Sequence, residues 1–94
     1  MDKRLILSSY VTVVADMLVN KGYTVNIAKS DYKGIPCILL IAQNLCSIYY
    51  VADRNGIPDE YIFNDYRIGG TTTDFGNDSR KFLEHMNDIV DELK

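Results

Sequence analysis

SIYYVADRNGIPDEYIFND, residues 47–65, decides the fold. Two runs rich in β-branched and aromatic residues, 47–53 and 59–65, flank Asn55-Gly56. Both turn residues tolerate positive φ, which a type I′ turn demands, so the pair predicts a tight hairpin. That turn sets a register. Tyr50 faces Tyr61 and Ile48 faces Phe63 on one side of the sheet, and Tyr49 faces Ile62 and Val51 faces Glu60 on the other.

Upstream, Ile35–Ala42 (IPCILLIA) is a further strand, with Pro36 near its start where a missing N–H does least harm. Asp31-Tyr32-Lys33-Gly34 reads as a four-residue turn back to an alternating strand over residues 23–30. This turn pairs Val25 with Leu40 and Ile27 with Ile38 on a core face. Cys37, Leu39 and Ile41 then point the other way, so the second strand is apolar on both faces. A sheet covered on one side does not require that.

The ends are helical. Leu7, Tyr10, Val11, Val14, Met17 and Leu18 recur at helical spacing within residues 3–21, with Asp2 as a cap and Gly22 as the left-handed stop. Residues 79–93 place Phe82, Leu83, Met86, Ile89, Val90 and Leu93 along one stripe. The polar residues 69–79, from Gly69 to Ser79, read as a connecting loop. The expected fold is α+β: one domain spanning residues 1–94, a four-stranded antiparallel meander flanked by an N-terminal and a C-terminal helix.

Composition is ordinary for a globular domain, with 47% hydrophobic and 24% charged residues. The net charge of −3 lacks the basic excess of a phosphate-driven nucleic-acid binder. Residues 48–94 hold ten acidic against five basic residues, a density that fits a solvated surface. Lys3, Arg4, Lys21, Lys29 and Lys33 leave weak nucleic-acid binding as a third reading. Lys3 and Arg4 ahead of an apolar stretch ending Val13-Val14-Ala15 look like a short leader, but Ser8, Ser9, Tyr10 and Thr12 interrupt it. No stretch is long enough to span a bilayer, so the expectation is a soluble, cytoplasmic protein that does not enter a membrane.

Catalytic chemistry finds little support. Cys37 and Cys46 make no disulfide framework, and one histidine without CxxC or HxxxH spacing supplies no zinc site. The element order invites comparison with metal-dependent nucleases, yet the strands lack the Asp and Glu-x-Lys that would hold magnesium. His85 has Asp88 one turn away, and this pair or the 69–79 loop is the alternative, small-ligand or enzymatic, reading. A solvated histidine on the helix surface is the simpler account. Gly69-Gly70-Thr71-Thr72-Thr73 precedes a helix but lacks P-loop spacing, and Asp74 and Asp78 would repel a phosphate. No cofactor is expected.

What remains is a surface. Either helices cover both faces of the sheet, or Leu39, Ile41, Tyr49, Val51 and Ile62 form an exposed patch that meets a partner protein or a second copy of the chain. The lead expectation is a small non-enzymatic protein-binding domain. Its compactness and abundance of Asn, Ile, Tyr and Lys resemble small accessory proteins of AT-rich phages and mobile elements. Such proteins often inhibit host or defence complexes. Composition carries that resemblance, and no motif does.

Overall fold

The computed structural model describes residues 9–52, 58–67 and 70–93. The first helix, α1, spans Ser9–Asn20; the cap at Asp2 lies outside the described residues. Val11, Val14, Ala15 and Leu18 form its buried stripe, so tertiary packing overrides the strand preference of its valines. It stops as expected. Gly22 takes φ +94°, and Tyr23 N and Gly22 N donate to Leu18 O and Val19 O at 3.1 and 2.9 Å. These are the two bonds of a Schellman motif.

Five strands follow as a simple antiparallel meander: β1 (Val25–Tyr32), β2 (Ile35–Ala42), β3 (Cys46–Ala52), β4 (Pro58–Asp65) and β5 (Thr71–Asp74), in that spatial order. The expected fold class, α+β, is observed with one strand more than the sequence reading placed. Thr71–Asp74 belongs to the stretch read as a loop. A Thr run has high β propensity but no apolar alternation, and on an edge strand it needs none. It pairs Ile62 with Asp74 through Asp65 with Thr71.

The register of the central hairpin is as expected: Ile48–Phe63, Tyr49–Ile62, Tyr50–Tyr61 and Val51–Glu60. The Asn55-Gly56 turn itself lies outside the described residues. A bulge follows Val51, where Ala52 pairs with Pro58. The β1–β2 register differs from the expectation by two residues. Lys33 and Gly34 both adopt positive φ, +51° and +82°, making a two-residue turn that pairs Tyr32 with Ile35. Ile27 therefore lies opposite Leu40, and Lys29 opposite Ile38. An even shift leaves every side chain on its expected face. Pro36 lies beyond the β2–β3 ladder, whose last pair is Ile38–Tyr50.

The second helix, α2 (Ser79–Glu92), starts at Asp78, whose carboxylate accepts from Lys81 N at 3.0 Å. It buries Phe82, Met86, Ile89 and Val90. Both helices lie on the same side of the sheet, over Ile38, Leu40, Ala42, Ile48, Tyr50, Tyr61 and Phe63. Tyr61 stacks on Phe82 with centroids 4.5 Å apart, and its hydroxyl shares a 2.8 Å hydrogen bond with Ser79. Among the described residues the layers are two: helices, then sheet.

Candidate binding surface

Alternation along the strands sends Cys37, Leu39 and Ile41 of β2, Ser47, Tyr49 and Val51 of β3, and Glu60, Ile62 and Asn64 of β4 to the face opposite the helices. Among the described residues no helical side chain packs against this face. Cys37, Val51 and Ile62 form a second buried cluster there, with Tyr32 and Tyr49 packed against it. The two tyrosine rings lie 5.1 Å apart, and Lys33 Nζ sits 5.3 Å from the Tyr32 centroid. Val51 and Ile62 retain only 4% and 1% of their exposure.

The five expected contact residues thus occupy one face, but at different depths. Val51 and Ile62 are floor. Leu39 and Tyr49 are half-buried, and Ile41 is 39% exposed. Beside Ile41 runs a polar row. Thr72 donates to Asn64 Oδ1 at 2.7 Å, Asn64 Nδ2 donates to Ser47 Oγ at 3.2 Å, and Ser47 shares a 2.7 Å hydrogen bond with the hydroxyl of exposed Tyr66. At the opposite corner Asp74 hydrogen-bonds with Glu60, which holds its carboxyl below the usual range, and accepts from Gly76 N at 2.8 Å. The face thus has an apolar centre, a hydrogen-bonded polar edge and partly exposed tyrosines. Nothing in the sequence foretold the Ser47–Asn64–Thr72 row, since its third member was read as loop.

The residues of the alternative reading lie on and before α2. His85 is half-buried rather than solvated. Its ring packs 5.3 Å from Phe63 and 5.2 Å from Phe75, while Asp88 is exposed. The 69–79 segment holds β5 and the cap of α2, so the helix N-terminus already has its carboxylate in Asp78. Both cysteines are free and buried. Burial, then Asp65, pushes the Cys46 thiol up to about 12, and burial, then Asp31, raises Cys37. Neither has thiolate character.

An open groove of about 680 Å³ lies at one end of the sheet, lined by Tyr23, Gln43, Asn44, Leu45, Arg67 and Leu93. Arg67 offers it little charge. Its Nε and Nη2 donate to the two carboxylate oxygens of Asp65 at 3.1 and 2.9 Å, and Nη1 donates to Glu92 at 3.2 Å. These bonds hold the Asp65 carboxyl below its ordinary range and raise the guanidinium. The group ties the end of β4 to the end of α2. Of the five basic residues considered for nucleic acid, Lys3 and Arg4 lie outside the described residues. Lys21 reaches toward Leu93 O at 3.5 Å, and Lys29 and Lys33 sit on and beside β1. No family model, curated protein or solved structure matches the chain.

Proposed function

We propose that the chain is a non-enzymatic protein-binding domain whose contact surface is the face of its sheet that no described helix covers. The observation that carries this reading is the position of Ile41, 39% exposed and flanked by half-buried Leu39 and Tyr49, on a face that no described helix covers. Five strands spaced by about 4.8 Å, over roughly seven residues at about 3.3 Å, span about 550 Å² in projection. That approaches the area one partner contributes at the low end of specific interfaces. Ile41, Leu39 and Tyr49 make the contact, and Val51 and Ile62 shape it from below.

The finer reading is an accessory protein, of the kind phages and mobile elements carry, that occludes a surface of a host or defence complex in the cytoplasm. Its supports are the composition, the two unpaired thiols of a reducing compartment and the absence of a helix long and apolar enough to cross a membrane among the described residues. Affinity capture with the wild-type chain and with Ile41→Lys, in cells that express the protein, tests the reading. A protein retained by the first and lost with the second, at unchanged circular dichroism, supports it. Equal retention by both discards this face as the contact.

A further inference from the structure

The two edges of the sheet are unlike. β5 is only four residues long, whereas β1 has eight, and most of their side chains are exposed. Short edge strands resist pairing with other chains; long ones without proline or bulge invite it. β1 has neither device, and its pairing with β2 is unbroken from Val25 to Tyr32.

A two-residue turn closes on a hydrogen-bonded pair, here Tyr32 and Ile35. By alternation Tyr32, Ser30, Ala28 and Asn26 direct their N–H and C=O groups to β2. Those of Asp31, Lys29, Ile27 and Val25 point away from the sheet. Among the described residues the outer edge is a free ladder of backbone donors and acceptors.

We propose that this edge takes a second copy of the chain, β1 against β1, antiparallel about a two-fold axis at Ser30, which aligns Ala28–Tyr32 of each copy and leaves Val25, Asn26 and Ile27 beyond the paired segment. Charge selects both the occupant and the register. About that axis Lys29 of each copy lies directly opposite Asp31 of the other, in a hydrogen-bonded position and on the helix-bearing side. Among the described residues neither Lys29 nor Asp31 has an ion pair or a side-chain hydrogen bond within its own chain. An axis through Lys29 would oppose two ammonium groups, and one through Asp31 two carboxylates. An axis through Ala28 sets Lys29 against Ile27 and Asp31 against Val25, leaving both charges without an opposite partner. Opposite charges in directly facing pairs stabilise antiparallel strands, and like charges oppose them.

The two-fold between antiparallel edges runs perpendicular to the sheet. Both helix layers therefore stand on one side, and the two sheet faces that no described helix covers join into one ten-stranded surface. This dimer does not depend on what that surface binds. Ile41 points from the other face of a different strand, so Ile41→Lys leaves the dimer intact whatever it does to partner binding.

Sedimentation equilibrium from micromolar to millimolar concentration tests the proposal. The wild-type chain is expected to reach twice its 10.7 kDa mass. Lys29→Asp and Asp31→Lys alone should each raise the dimer dissociation constant about ten- to thirtyfold, since two symmetry-related pairs turn repulsive. Mixing these two variants should restore the wild-type constant, because each then supplies the charge that the other needs. A wild-type chain monomeric at millimolar concentration overturns the proposal. So does a dimer indifferent to both substitutions, or a mixture that fails to associate while each variant keeps its circular dichroism.

Discussion

Ile62 and Ile41 share one sheet face and one residue type, yet their removal should have different consequences. Ile62 is 1% exposed, beneath Tyr32 and Tyr49, and Ile41 is 39% exposed. Truncating a buried isoleucine to alanine costs about 2–5 kcal/mol, according to how far the site collapses. The tyrosine rings at the edge of this small cluster can settle into the space, so Ile62→Ala should cost about 2–3 kcal/mol. Ile41 loses only part of a side-chain transfer energy of roughly 1.5–3 kcal/mol and leaves no enclosed void, so Ile41→Ala should cost about 1 kcal/mol or less. For a chain of this size the first change lowers Tm by about 10–20 °C and the second by about 5 °C. Urea unfolding followed by far-ultraviolet circular dichroism measures both. Equal losses below about 1 kcal/mol would mean that Ile62 is not enclosed, and the division of this face into floor and contact would fail.

The Asp65–Arg67 pair makes a separate claim. Asp65→Asn should cost about 1–2 kcal/mol at neutral pH, tempered by the partial exposure of Arg67. Because the folded-state carboxyl is held below its ordinary range, its contribution is complete above the unfolded value of about 4 and fades as pH falls through the depressed folded value. Wild type should therefore lose stability faster than Asp65→Asn on acidification below about pH 4, and parallel urea curves would contradict the pairing. The thiols offer a second check. With Cys46 pushed up to about 12 and wholly buried, iodoacetamide should modify it only in denaturant. Labelling of the native chain at the rate of a free thiol, read by mass spectrometry, would show that the core opens.

Much of this architecture was legible because particular residues leave few choices. The register that Asn55-Gly56 suggests is the one β3 and β4 adopt from Ile48–Phe63 to Val51–Glu60, and Gly22 ends α1 through its positive φ. The β1–β2 turn was harder, since Asp31 and Tyr32 look like turn residues but stay in the strand when Lys33 accepts φ +51°. That error of two residues did not disturb the faces, because side chains repeat every two. β5 is not legible in the sequence because Thr71, Thr72 and Thr73 show no alternation of polarity; their pairing with β4 makes them a strand. The side on which the helices lie is not written in β2 at all, as Leu39 and Leu40 are equally apolar. His85 looked solvated beside Glu84 and Asp88, and only the tertiary approach of Phe63 and Phe75 half-buries it.

Site-specific photo-crosslinking from position 41 tests the binding face most directly. A benzophenone side chain there, in cells that express the protein, should form a discrete adduct with another protein. The same group at exposed Asn87 on α2, on the helix side, should not. Adducts from position 87 with none from position 41 would place the contact on the helices and contradict a role for the sheet face opposite them.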